Sequence, residues 1–218
     1  MKKTILLLFL SLSVTIAFGQ KKKPAAKKTA AANVIAKADN LTAELTPGKE
    51  QYQFEVLLNK KDSLFTKKIN VSGNGKLAAT KNNNIPFDCK ITPFTAKGTP
   101  LYAITWSENN VNEITDKTED RTQIHSEIWN AATKTQVLAN VQTAIRIKEI
   151  LWLDKLKNAS QTSEKMRNEG LVFTLTKEGD VLLKSKTQEN KLTYNPATNS
   201  YDNLKATVTT PASKPKKK

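Results

Sequence analysis

The segment from Thr135 to Leu153, TQVLANVQTAIRIKEILWL, restricts the fold more than any other part of this sequence. Up to Ile147 its apolar residues occupy every second position, and polar residues fill most of the positions between them. A period of two predicts a β-strand with one buried and one solvated face. The alternation fails at Glu149, and a strand of this length would span roughly 60 Å, several times the usual length. The sequence therefore predicts a bulge or bend near Lys148–Glu149.

Alternating segments of this kind make up most of the chain. They cover residues 52–58, 64–71, 76–80, 85–91, 101–106, 122–129, 171–175, 181–183, 192–194 and 201–208, and a long polar connection is expected at 107–121. Residues 162–169 are predicted to form a short helical segment, capped by Thr162 or Ser163 and ended by Gly170. We expect an all-β domain, an antiparallel β-meander of roughly nine or ten strands that closes as a barrel or a two-layer sandwich.

Two polar corners of the sequence have the same form. They are Asn130–Thr135 and Asn195–Ser200, and each follows an aromatic residue. A hairpin loop of four or five residues accounts for both, with Lys134 and Asn199 in the left-handed conformation. Asparagine tolerates that conformation better than lysine does. Asn199→Gly is therefore predicted to be neutral or mildly stabilising, and Asn199→Val destabilising.

The two ends of the chain differ in composition from the segments between them. Residues 1–19 combine a basic start, an apolar run and small residues before Gln20, which is typical of a cleaved signal peptide. Residues 20–40 and 211–218 are rich in Lys, Ala and Pro and predict disordered tails around a single β-domain at residues 41–210. We expect an exported bacterial protein, periplasmic or extracellular, with no integral membrane segment after signal cleavage.

Most of the formal charge of +15 belongs to these terminal segments, which carry +11 and leave +4 for residues 41–210. Lysines in flexible tails attract phosphate- or carboxylate-bearing polymers by counterion release. The tails therefore predict weak contact with anionic cell-envelope polymers. The candidate residues are Lys21, Lys22, Lys23, Lys27, Lys28, Lys216, Lys217 and Lys218.

Three tryptophans, Trp106, Trp129 and Trp152, recur at intervals of 23 residues. Together with nearby tyrosines they could line a sugar- or lipid-binding face, and they are the candidate ligand-binding residues of the domain. Tryptophan is also common in the cores of β-sheets, so a structural role is the alternative interpretation.

The only cysteine, Cys89, shares the alternating parity of Ile85, Phe87 and Ile91. This pattern predicts a buried structural thiol on the core side of a strand. A single cysteine leaves no partner for an internal disulfide in a compartment that would allow one.

Few other residues suggest catalysis or metal binding. His125, the only histidine, shares a strand face with Glu127, and the pair could join a serine in a hydrolytic triad. No nucleophile elbow or phosphate-binding glycine loop supports that reading. The acidic loop 113–120 could hold calcium through Glu113, Asp116, Glu119 and Asp120, although Lys117 interrupts it and favours a solvated loop. We expect no metal and no cofactor.

These observations favour a binding or surface-associated module over an enzyme. Two alternatives stay open. One is a carbohydrate-active hydrolase or lyase on a β-sandwich, which requires two carboxylates that face each other across a cleft. The other is a polyanion binder that acts through its lysine-rich tails.

Overall fold

The computed structural model describes residues 31–48, 51–70 and 83–204. All the regular secondary structure within these ranges is β-strand. The strands are β1 (Asn33–Ala38), β2 (Leu41–Thr46), β3 (Gln51–Leu58), β4 (Asp62–Asn70), β5 (Asn83–Ala96), β6 (Thr99–Ile114), β7 (Lys117–Asn130), β8 (Thr135–Trp152), β9 (Ser160–Glu169), β10 (Val172–Leu175), β11 (Val181–Lys184), β12 (Glu189–Asn195) and β13 (Ser200–Asn203). In the described ranges no helix is long and apolar enough to cross a membrane.

The strands form three antiparallel sheets, each a simple meander. We call β1–β4 the N-terminal sheet, β5–β9 the long sheet and β10–β13 the C-terminal sheet. The predicted antiparallel all-β meander is confirmed. None of the three sheets closes as a barrel, so the predicted closure as a barrel or two-layer sandwich is not confirmed.

The long sheet is covered on both faces at one end, and β6 explains why. Ile104 and Trp106 pack into a core with the N-terminal sheet, whereas Leu101 and Ala103 pack into a second core with the C-terminal sheet. Successive side chains of a strand point to opposite faces, so a strand buried on both faces is almost continuously apolar. The run Leu101–Trp106 matches this pattern and divides the molecule into two cores.

Aromatic rings fill the core beneath the N-terminal sheet. Phe65 stacks between two tryptophans, with ring centroids 5.7 Å from Trp106 and 5.4 Å from Trp129. Phe54 lies 5.3 Å from Trp106 and meets Phe65 edge to face at 5.5 Å. Such offset and edge-on pairs each add about 0.5–1.5 kcal/mol beyond the area they bury.

The long strand predicted at residues 135–153 is present as β8, but the bulge predicted near Lys148–Glu149 is wrong. Pairing of β8 with β9 is continuous from Thr143 to Trp152. The register shift between β7 and β8 lies instead beside Val137, because Trp129 pairs with Gln136 and Ile128 with Leu138. The alternation fails near Glu149 because this end of β8 lies beyond the part of the long sheet that the two small sheets cover. Neither face of the strand needs to be apolar there.

The short helix predicted at 162–169 is also wrong. These residues belong to β9, which pairs with β8 from Ser160↔Trp152 to Glu169↔Thr143. A capping signal is a weak local preference, and a ladder of backbone hydrogen bonds to a neighbouring strand overrides it. Similarly, the connection predicted at 107–121 is a tight hairpin between β6 and β7, with only Thr115 and Asp116 between the strands.

Strand β1 lies inside residues 20–40, which the sequence assigns to a tail. It pairs with β2 and completes the N-terminal sheet, so the disorder predicted for residues 33–38 is wrong. Alternation over six residues is too short to stand out against the lysine- and alanine-rich background. The predicted strand at residues 76–80 and the turn before it lie outside the described residues.

The two hairpin corners adopt the predicted backbone. Lys134 and Asn199 have φ angles of 54° and 49°, and four residues separate the paired ends of each loop. In each loop the first asparagine accepts a backbone hydrogen bond two residues later, from Ala132 to Asn130 and from Ala197 to Asn195, both at 3.1 Å.

The corners also contact each other through Asn199. Its Oδ1 accepts hydrogen bonds from Asn130 Nδ2 at 2.9 Å and from the Tyr194 hydroxyl at 2.8 Å, and its Nδ2 donates to Thr135 Oγ1 at 2.6 Å. Asn199 therefore ties the C-terminal sheet to the long sheet through its side chain as well as shaping its own turn.

Candidate functional site

A cleft of approximately 630 Å³ lies between the long sheet and the C-terminal sheet. One wall comes from β8 and β9, and the other from β10, β11 and the loop that follows β11. This volume falls within the range of roughly 300–1,000 Å³ that is usual for ligand pockets. The side chains that give the cleft its chemistry are Gln142, Met166, Arg167, Asn168, Lys184 and Lys186.

The charges that line the cleft are all positive. No residue of its lining is acidic, and none is a histidine or a cysteine. Arg167 pairs with Glu169 at 2.8 Å and Lys184 with Glu189 at 2.9 Å, and all four of these side chains are about half exposed. Exposed ion pairs contribute little free energy, so an anionic ligand can compete with these carboxylates for both cations.

Gly170 lines the cleft where the chain leaves β9 for the C-terminal sheet. Its φ angle is +78°, and a Cβ at this position would lie 2.4 Å from the backbone oxygen of Val141. Only glycine permits this approach. Asn140 Nδ2 donates to the backbone oxygen of Leu171 at 2.9 Å and holds the next residue against β8. The wall of the cleft is therefore fixed to the long sheet on both sides of this bend.

A second polar group is buried between the long sheet and the N-terminal sheet. Glu108 is 3% exposed, and its Oε1 forms an ion pair with Lys67 of β4 and accepts a 2.7 Å hydrogen bond from Trp106 Nε1. The His125 ring stacks on Trp106 at 4.8 Å between centroids, and its Nε2 lies 3.6 Å from the same Glu108 oxygen. We call Lys67, Trp106, Glu108 and His125 the buried polar cluster.

The environment of this cluster disfavours a charged imidazole. Burial lowers the pKa of His125; the Glu108 carboxylate opposes this shift and the Lys67 ammonium adds to it. Nε2 is inaccessible to solvent and has no hydrogen-bond partner. The neutral His125 ring therefore packs between the two sheets, and its Nε2 nitrogen is inaccessible to a substrate.

The predicted pairing of His125 with Glu127 does not form a catalytic unit. Glu127 accepts a 2.7 Å hydrogen bond from Trp129 Nε1, whereas the carboxylate nearest His125 is that of Glu108. Lys67 and Glu108 lie 41 residues apart in sequence and are missing from the predicted site residues. One signal was available, because Glu108 follows Trp106 on the inward parity of β6, where an apolar residue is due.

The three predicted ligand-binding tryptophans lie in different places. Trp106 and Trp129 are 3% and 8% exposed within the aromatic core, so neither ring forms a surface platform. Trp152 is 38% exposed near the end of β8, with Lys157 Nζ 5.1 Å from the centre of its ring. Of the three, only Trp152 is available to a ligand at the surface.

Cys89 and Ile85 lie half-buried against the core of the N-terminal sheet, and Ile91 is buried within it. Burial raises the pKa of its thiol to about 12. Phe87 departs from the prediction, because it is exposed and pairs with Ser107 on the other face. The register of β5 shifts on both sides of Phe87, and Asp88 has a φ angle of 50°. A bulge therefore reverses the parity at Phe87.

The four acidic residues proposed as calcium ligands do not converge. Glu119 pairs with Lys117 and Arg121, whose hydrogen bonds lower the pKa of its carboxyl to about 2. Asp116 pairs with Lys157 at 3.5 Å, while Asp120 pairs with Arg146 of β8 in the backbone ladder, on the opposite parity to Glu119. No group of three or more potential metal-ligating side chains occurs among the described residues.

The predicted polyanion-binding lysines all lie outside the described residues: Lys21, Lys22, Lys23, Lys27 and Lys28 before residue 31, and Lys216, Lys217 and Lys218 after residue 204. Comparison of the chain with protein-family models, curated proteins and solved structures gave no match.

Proposed function

We propose that the protein is an exported, non-enzymatic binding module whose ligand site is the cleft between β9 and the C-terminal sheet. One observation carries this proposal: Arg167, Lys184 and Lys186 all line the concave surface, whereas Glu169 and Glu189, which pair with the first two, do not. Cations that line one pocket of ordinary ligand volume favour an anionic ligand.

The remaining lining narrows the class of ligand. Gln142 and Asn168 supply amide donors and acceptors, and Met166 and Val172 supply exposed apolar surface. A carboxylated or phosphorylated sugar presents anionic oxygens, hydroxyl groups and apolar C–H faces in one molecule and matches all three. Such units occur in the anionic polymers of the bacterial envelope, which is consistent with the predicted export.

The carboxylates of the described core support this proposal over the hydrolase alternative. Glu108 is bound to Lys67 and Trp106, and Glu127 to Trp129, in positions away from the cleft lining. Each carboxylate therefore stabilises the packing around the long sheet. The polyanion hypothesis based on the tails is independent of the cleft, and the experiment must separate the two.

The test is calorimetric titration of the chain from Gln20 to Lys218 with uronic-acid oligosaccharides and sugar phosphates at 150 mM salt. We expect Arg167→Ala/Lys186→Ala to weaken binding at least tenfold, because it removes two cations from the cleft. The matched control, Lys60→Ala/Lys68→Ala, removes the same charge from exposed positions in the β3–β4 turn and on β4. Equal weakening in both variants would show general charge attraction and overturn the cleft as the site.

A further inference from the structure

The β8–β9 hairpin projects beyond the rest of the long sheet. Pairing of β7 with β8 ends at Lys117↔Glu149, whereas β8 and β9 stay paired as far as Trp152↔Ser160. The Ile150 nitrogen donates to the Asp116 oxygen of the β6–β7 turn at 2.7 Å, so the two further residues of β8, at about 3.3 Å each, carry the hairpin roughly 7 Å past that turn before its loop begins. Every residue from 150 to 162 is exposed.

The projecting end is apolar. Leu156 is 81% exposed and Leu153 is 66% exposed, and Ile114 at the neighbouring turn is 58% exposed. Leu151 and Trp152 add further exposed apolar surface. We call Ile114, Leu151, Trp152, Leu153 and Leu156 the apolar tip. Exposed apolar residues that cluster in this way mark interaction sites, whereas scattered ones need no explanation.

Hydrogen bonds within the loop fix this conformation. The Asp154 carboxylate accepts from the backbone nitrogens of Asn158 at 3.0 Å and Ala159 at 3.1 Å. The backbone nitrogen of Leu153 donates to the Ala159 oxygen at 2.9 Å. The loop thus satisfies its own polar groups and leaves Leu153 and Leu156 directed outward.

Cations border the apolar tip. Lys157 lies over the Trp152 ring and pairs with Asp116, and Lys155 is exposed on the same loop. Tryptophan and lysine beside aliphatic side chains are typical of segments that rest at a membrane interface, where basic residues are attracted to anionic headgroups. The chain from Gln20, which lacks Lys2 and Lys3 and carries +13, has the complementary charge.

We propose that the apolar tip docks the protein on an anionic lipid surface by inserting Leu153 and Leu156 between the headgroups. A projection of about 7 Å lies within the depth of roughly 5–10 Å that interfacial apolar faces reach. A second copy of the chain is the alternative occupant. Docking here goes beyond the proposed sugar binding and uses a different part of the molecule.

The test uses co-sedimentation of the chain from Gln20 with vesicles of phosphatidylglycerol and phosphatidylethanolamine, and with phosphatidylcholine vesicles for comparison. We expect binding to the anionic vesicles and an emission blue shift from Trp152, because Trp106 and Trp129 are already buried. Leu153→Ser/Leu156→Ser should weaken binding at least tenfold. Val34→Ser, a matched change at a position 58% exposed on β1, should leave it unchanged.

Three results would overturn the proposal. Binding of Leu153→Ser/Leu156→Ser to anionic vesicles as tightly as the parent chain would assign attachment to the charged tails. A blue shift that persists in Trp152→Phe would place the change in the core. A lipid-free dimer, detected by light scattering and dependent on Leu153 and Leu156, would make the tip a contact between copies.

Discussion

The two small sheets cover opposite faces of the long sheet and have the same number of strands, but different chemistry holds them in place. The N-terminal sheet docks through aromatic rings around a buried ion pair between Lys67 and Glu108. The C-terminal sheet docks through a neutral network in which Asn199 binds Asn130 and Thr135. Loss of one partner from the ion pair leaves a buried unpaired charge, whereas loss of one partner from the neutral network leaves uncharged polar groups unsatisfied, at a smaller cost in free energy.

The largest effect is expected at the charged interface. Lys67→Met retains the aliphatic stem but removes the ammonium, which leaves the Glu108 carboxylate buried beside Trp106. We expect the free energy of unfolding, measured by urea titration, to fall by about 3 kcal/mol. The double variant Lys67→Met/Glu108→Gln contains no buried charge and should recover part of the loss. Equal losses in the single and double variants would show that the ion pair is not what the interface needs.

A smaller loss is expected at the neutral interface. Asn199→Ala removes four side-chain hydrogen bonds and places alanine at a positive φ, so the free energy of unfolding should fall by about 2 kcal/mol. Asn199→Gly relieves the backbone but still loses those bonds, and we expect a cost of about 1 kcal/mol. This reverses the neutral or stabilising effect predicted from the turn alone. A glycine variant as stable as the parent would mean that the network contributes nothing to docking.

The two interfaces should also respond differently to pH. The pKa of His125 is lowered by burial, so the unfolded chain binds protons there more readily than the folded one. The contribution of His125 to the free energy of unfolding is therefore fully present above about pH 6.5, and it falls as the pH drops below that value. The carboxyl of Glu119, with its pKa lowered to about 2, loses its contribution only below about pH 4.5. A change from pH 7.5 to pH 5.5 therefore tests the contribution of His125 without affecting that of Glu119.

Thermal unfolding at these two pH values checks the assignment. The parent chain should be less stable at pH 5.5, and His125→Phe, which keeps a ring against Trp106, should show a smaller difference. Asn199→Ala should show the same difference as the parent, because its network does not titrate. A parent-like pH response in His125→Phe would place the titrating group elsewhere.

The smallest effect is expected at the other left-handed corner. Lys134 has nearly the same φ as Asn199, but the contact of its side chain is a 3.4 Å ion pair with Asp62 between two exposed groups. Lys134→Gly should therefore stabilise the chain by about 0.5 kcal/mol, since glycine relieves the backbone and little is lost. If denaturant unfolding shows a loss as large as that for Asn199→Gly, the two corners are equivalent and the comparison fails.

Much of the fold could be predicted from the sequence, because the signals that specify it are local. Alternation over residues 52–58 and 135–147 identified strands, and the two asparagine-led corners identified hairpins with their left-handed residues. Such patterns depend on the chain within a few residues of each position. The predictions were wrong for β9 and the β6–β7 hairpin, which lie where neither small sheet covers the long sheet. Exposed strands need no apolar alternation.

The candidate sites were mostly beyond sequence reasoning. The cleft is made by residues of β8, β9, β10 and the loop after β11, which no local pattern brings together. The partnership of Lys67 with Glu108 depends on which sheet covers which face. The roles of Trp106 and Trp129 were equally hard to predict, because a tryptophan on the apolar face of a strand suits a core as well as a ligand-binding surface. The two rings belong to the core only because the N-terminal sheet covers them.

Strand β8 runs from the Asn130–Thr135 corner to the apolar tip, and its length therefore fixes the distance between them. Its 18 residues set a separation of about 60 Å between the two ends. That separation can change only in steps of two residues per strand, about 6.6 Å, because a single insertion would exchange the two faces. Matched pairs added to β8 and β9 beyond Glu149 would lengthen the reach of the hairpin and leave both cores untouched.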